Sequence, residues 1–200
     1  MGTNAQDDVE GVGNASSGGA PGGSVIGPSP PQAVSVARLG GLRWADLVVF
    51  AVAGGWVTST PEPAARVALA GVSRHAARRA GVLGDRLPTA GALEASAVTV
   101  PADPGLADVV ADLESLVPTA DRLAVLGQVV LSGIADALDA LVGTLSPVAD
   151  ATSLRTLPPL VDDLRTDAAA LGACGSDLGP VPTPGVVDAF AGRVAALGGW

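Results

Sequence analysis

The sequence predicts an all-α protein arranged as a four-helix bundle, and three observations carry that prediction. Apolar residues recur at steps of three and four along four long stretches, the spacing of one helix face. Aromatic residues make up 2% of the chain and tyrosine is absent, so the core must be built from Leu, Val and Ala, which suit helix packing better than sheets. Two of the connections between the long stretches are short and the middle one is long, the connectivity of a bundle with a crossover.

Residues 1–33 are dominated by Gly, Ser, Pro and Ala and cannot bury enough surface to offset their ordering entropy, so a disordered arm is expected there. Were it a docking peptide for a partner, Val25 and Ile26 would be its obvious anchors. The bundle is predicted over 34–175. Its first helix spans Val34 to Thr58, is expected to break at Gly40 and Gly41, and offers Leu42, Leu47, Phe50, Ala53 and Val57 as a buried face. Trp44 and Trp56 read as packing anchors. Thr60 is placed to cap the second helix, with Pro61 or Pro63 in the first turn. That helix carries its stripe on Leu69, Val72, Ala76, Ala80, Leu83 and Leu87 and ends before Pro88.

Residues 89–105 read as the crossover, with a conceivable short strand at Ala97 to Val100, and Leu106 to Val117 reads as a helix that Pro118 kinks or restarts. Thr119 to Leu145 is the third long helix, with Leu123, Leu126, Val130, Ile134, Ala137, Leu141 and Leu145 inward. Pro147 opens the fourth, whose seam is Leu154, Leu157, Val161, Leu164, Ala168 and Leu171. Residues 176–200 are expected to hold a Pro-rich loop at Pro180 to Gly185, then a short tail helix using Val187, Phe190, Val194 and Leu197.

The formal charge of −9 argues against non-specific nucleic-acid binding, which depends on neutralising phosphates. The charge is also unevenly placed. Residues 38–86 carry seven Arg against Asp46, Glu62 and Asp85, whereas residues 87–200 carry four Arg against fourteen acids, so basic helices are expected to pair with acidic ones. All basic residues are Arg and most acids are Asp, a bias of GC-rich coding that points to an actinobacterium-like source. Cys174 stands alone, which excludes an internal disulfide and fits a reducing cytoplasm. No secretory leader is recognisable, and the longest apolar run, read as Leu47 to Val57, is too short to span a bilayer, so no membrane association is expected.

GGWVTSTPEPAARVALAG with RHAARRAGVLGDRLP, and later TADRLAVLGQVVLSGIADAL with SPVADATSLRTLPPLVDDL, resemble the helix pairs of bacterial ferritin-like proteins over about residues 44 to 172. The resemblance implies a bundle in which di-iron members place a Glu on each of two helices and a Glu-x-x-His on each of the others. This sequence departs from that pattern. It has one histidine, Val72 stands three residues before it, and the four glutamates (Glu10, Glu62, Glu94, Glu114) lie off the two best-defined stripes. A substitute metal set could be drawn from Asp46, His75, Asp136 and Asp163, but the neighbouring arginine charge opposes a cation, and no metal or other cofactor is expected.

The remaining candidates cluster on the second helix. Arg74, His75, Arg78 and Arg79 could bind an anion, or neutralise acids within the bundle, and His75 is expected to bond a helical carboxylate. No catalytic set is predicted: Ser73 and His75 do not face each other on a helix. The leading expectation is a non-catalytic, cytoplasmic accessory or structural subunit, a pseudoenzyme that associates with a like or enzymatic partner through its helix faces. Two rivals stand beside it. One is an oxidoreductase with Asp-rich metal ligands, or a metal-free enzyme in which His75 and Arg79 act on an anion. The other is a helical module whose small residues leave a cavity for an apolar or anionic ligand.

Overall fold

The computed structural model describes residues 30–91 and 93–200, with side chains from Ala33 onward. The expected N-terminal arm therefore lies almost entirely outside the described residues. Among those described, every regular element is helical. Four long rods form the body: α1 (Pro30–Ser59), α2 (Pro63–Gly84), a third rod, and α8 (Pro158–Leu178). The third rod is continuous but composite, with α5 (Thr119–Val125), a π-helical stretch (Leu126–Leu131) and α6 (Ser132–Val142). Short helices α3 (Ala95–Val98) and α4 (Leu106–Glu114) lie in the crossover. Helix α7 (Ala151–Thr156) precedes α8, and α9 (Val186–Ala196) closes the chain.

Each long rod packs against two others: α1 on α2 and α6, and α8 on α2 and the third rod. Direction follows from contacts at the rod ends. Thr119 Oγ1 donates to Glu62 Oε2 at 2.7 Å, and Arg122 Nη1 donates to the Ser59 and Thr60 hydroxyls at 3.1 and 3.2 Å. The third rod thus starts where α2 starts, so the crossover carries the chain back along the bundle and the two rods run parallel.

Several local expectations are corrected. Helix α1 begins at Pro30 and runs unbroken through Gly40 and Gly41. Gly40 serves close approach: a Cβ there would lie 2.0 Å from the Val98 carbonyl oxygen, so the crossover can only seat on this helix because the side chain is missing. The buried face of α1 is Val36, Leu39, Leu42, Ala45, Val49, Val52, Ala53 and Trp56, while Leu47 and Phe50, expected inside, are 36% and 47% exposed. Thr60 is not the cap of α2. Glu62 precedes the helix, Pro63 takes its first turn, and the buried Thr60 hydroxyl accepts from Arg122 instead. No strand forms at Ala97 to Val100: Ala97 and Val98 end the helical turn α3, and Thr99 and Val100 lie beyond it.

The longest apolar helix is the third rod rather than the run in α1. Thr119–Val142 is long and apolar enough by length and composition to cross a membrane, with a mean hydropathy of 1.7 over its most apolar 18-residue window. In the bundle 56% of that apolar window is buried, because this rod meets α8 on one side and α1 and α9 on others.

Candidate functional site

Halfway along the bundle, three charged side chains lie on inward faces. Asp46 follows Leu42 and precedes Val49 on the buried stripe of α1. Arg79 follows Ala76 and precedes Leu83 on that of α2. Asp167 lies between Leu164 and Leu171 on that of α8. Each sits at a spacing of four then three, or three then four, from its apolar neighbours, so the helix register carries it into the core. Arg79 is 0% exposed and Asp46 1%.

The three are joined. Arg79 Nε donates to Asp46 Oδ1 at 2.9 Å, and Arg79 Nη1 donates to Asp167 Oδ2 at 2.7 Å. The other Asp167 oxygen accepts from His75 Nδ1 at 2.8 Å, which puts the ring proton on that nitrogen. His75 keeps 40% of its side chain exposed, so the chain of contacts runs from the α2 surface through Asp167 and Arg79 to Asp46. Arg79 Nη2 is buried without a partner among the described residues.

Two carboxylates share one guanidinium, and the electrostatics divide accordingly. Burial pushes Asp46 up from an ordinary 3.8 to about 6; Arg79 pulls it down by charge and hydrogen bond, and Asp167 pushes it further up. Burial also works against the Arg79 cation, but Asp46 and Asp167 together outweigh it and hold Arg79 above its ordinary value. The arginine is doubly served, while Asp46 has half of a partner.

The structure places the other expected residues as follows. Arg78 pairs with Asp163 of α8 at the surface, so the basic face of α2 does meet acids of α8. Arg74 is exposed and makes no ion pair among the described residues. Arg74, His75, Arg78 and Arg79 therefore do not converge on one bound anion: His75, Arg78 and Arg79 each face a carboxylate of the protein, and Arg79 is sealed in the core. The metal set also fails to assemble. Asp46 and His75 approach only through Arg79 and Asp167, Asp163 is taken by Arg78, and Asp136 is exposed on α6 beside the Trp200 end of the chain. Among the described residues no group of three His, Cys, Asp or Glu side chains could hold a metal ion. The residues present do not fit a di-iron centre, because the space between the two buried carboxylates holds a guanidinium.

Two further polar anchors escaped the sequence reading. Arg122 is buried at one end of the bundle, over the Trp56 ring at 5.3 Å from its centroid, and its Nε donates to the Leu116 carbonyl at 2.6 Å. Asp121 beside it is also buried and accepts from both the backbone N–H and the hydroxyl of Thr183, at 2.6 and 2.7 Å, tying down the Pro-rich loop before α9. Their adjacency to Pro118 in a helix's first turn is the available signal: charged residues there satisfy loop and helix-end groups.

No family model, curated protein or solved structure matches this chain.

Proposed function

We propose that the chain is a ferritin-like bundle that has exchanged metal ligation for an internal ion-pair cluster and serves as a non-catalytic structural or accessory subunit in the cytoplasm. The observation that carries this reading is Arg79 between Asp46 and Asp167. A cation is what two facing carboxylates in a bundle core call for, and here the protein supplies it from its own α2. A permanently charged guanidinium in that position opposes a metal ion by charge and by volume. The direction of the four rods and the crossover that runs along them agree with the same family reading.

Such a subunit acts through its surface, and α1 supplies one. From Trp44 to Ser59 its only charged residue is the buried Asp46, and Leu47 and Phe50 face outward. A helix apolar on nearly all sides calls for cover on its outer face as well as its inner one.

The test combines metal content with assembly. Protein purified from iron- and manganese-supplemented cells should carry far less than one metal ion per chain, and Phe50→Asp should reduce the mass found by light scattering while leaving the helical signal intact. One or two tightly held ions per chain would overturn the reading, and so would a wild-type protein that stays monomeric at every concentration and binds no partner.

A further inference from the structure

Where the third rod passes α8 the two helices first touch and then part. At Gly127 they are in near contact: a Cβ there would lie 3.3 Å from the Ala168 carbonyl oxygen and 3.4 Å from Leu171 Cβ. One turn further along α8 the facing positions are Gly172 and Gly175, and the gap opens into a groove of about 340 Å³. Its floor is Leu123, Ala124 and Leu171, and one wall is the loop Gly179 to Pro182. Packing does not require these two glycines. Nothing lies within 4 Å of a Cβ built at Gly172, and the nearest atom to one at Gly175 is Leu123 Cδ1 at 4.0 Å.

The groove is also built to keep its shape. Proline rings stiffen the loop wall, and the two hydrogen bonds from Thr183 to Asp121 hold its far end. At the opposite lip the π-helical stretch turns Gln128 out to solvent while Gly127 and Val129 on either side stay buried, an irregularity of the kind that recurs at binding sites. The volume is at the small end of the range for small-molecule sites.

Charge at the loop end selects a ligand class. A smaller hollow of about 120 Å³ shares Ala120, Pro180 and Val181 with the groove and is lined by Glu62 and Asp121. Asp177 lies on the same turns of α8. Burial raises the Cys174 thiol above its ordinary value, and the Asp177 and Glu62 carboxylates raise it further, so negative potential reaches this part of α8. The nearby cation, Arg122, spends its hydrogen bonds on Leu116, Ser59 and Thr60 and reaches Glu62 by charge alone.

We infer that the groove between the third rod and α8 binds a small elongated apolar amine, its chain over Leu123, Ala124 and Leu171 and its ammonium at the Glu62 end. The same geometry disfavours a carboxylate of equal length.

Calorimetric titration with decylamine, decanol and decanoate, each below its micelle or solubility limit, tests this. Decylamine should bind saturably at one site and about three- to fivefold tighter than decanol, the scale of one solvent-exposed charge contact, and decanoate should bind more weakly than decanol. Gly175→Leu fills the groove with a better helix former, so it should keep the fold and abolish binding. Glu62→Gln keeps an acceptor for Thr119 and should bring decylamine to the affinity of decanol. The proposal is overturned if none of the three binds, if decanoate binds as well as decylamine, or if Gly175→Leu with intact helicity binds as the wild type does.

Discussion

Replacing Asp46 by Asn probes the buried cluster through its pH dependence. Asn keeps an oxygen for Arg79 Nε and removes the charge. In the wild type, burial lifts Asp46 from 3.8 to about 6. A carboxyl whose folded value is raised holds its proton longer in the native state than in the unfolded chain. Its contribution to stability is therefore complete below about pH 4 and is lost as the pH climbs through 6. The distance from 3.8 to about 6 corresponds to about 3 kcal/mol. The asparagine amide does not titrate, so the variant lacks this loss. Relative to the wild type, D46N should gain about 2 kcal/mol of that between pH 4 and pH 7, whatever its stability at either end.

Urea unfolding of both proteins at intervals between pH 4 and 7, followed by circular dichroism, measures that double difference. Taking the difference cancels whatever the two proteins share outside the cluster, such as the surface pairs Arg78–Asp163 and Arg165–Asp139. Asp167 keeps its hydrogen bonds to His75 and Arg79 in both proteins. A difference that stays constant across the range, or one in which D46N loses ground as the pH rises, would refute the claim that Asp46 is ionised at a cost in the core.

Three other substitutions test the parts around it. Arg79→Met should destabilise by about 3–5 kcal/mol at pH 7, because it strands Asp46 and Asp167, and adding Asp46→Leu and Asp167→Leu should recover much of that loss by urea titration. Gly40→Ala drives a methyl to 2.0 Å from the Val98 carbonyl, so it should cost about 1–3 kcal/mol or more and speed hydrogen exchange in α3, although Ala is the better helix former. Gly133→Ala places a Cβ 2.5 Å from Trp200 Cδ1, so it should displace the indole and red-shift its emission. The shift should be absent from a Gly133→Ala, Trp200→Ala double variant.

Element type was legible because it depends on a repeat of three and four, and that repeat survives in all four rods. Facing was less legible. In α1 nearly every position is apolar, so a stripe through Leu47 and Phe50 fits the sequence about as well as the one through Val49 and Val52 that is buried. Only the tertiary neighbours decide between them: the crossover seats on Gly40, and the Ser73 hydroxyl donates to the Phe50 carbonyl at 2.9 Å from α2. Glycines 40 and 41 misled in the same way. Local propensity reads a pair of glycines as a break, whereas a helix crossed closely by another segment needs one for contact.

The charged cluster was partly legible in the sequence. Leu42, Asp46, Val49 and Ala53 step by four, three and four. So do Val72, Ala76, Arg79 and Leu83 on α2, and Leu160, Leu164, Asp167 and Leu171 on α8. Each charged residue therefore occupies a seam position, and all three are buried. A charge on a seam is costly alone, and the ones seen here are two acids and a base, on three rods that share a core. That pattern is readable without coordinates and points to a mutual partnership. What it cannot supply is the order of contacts between residues 33 and 88 positions apart, Asp46 to Arg79 and Arg79 to Asp167. Order decides the chemistry: the guanidinium between the two carboxylates makes the centre self-neutralising, whereas the two carboxylates facing each other with Arg79 outside would have left a place for a cation.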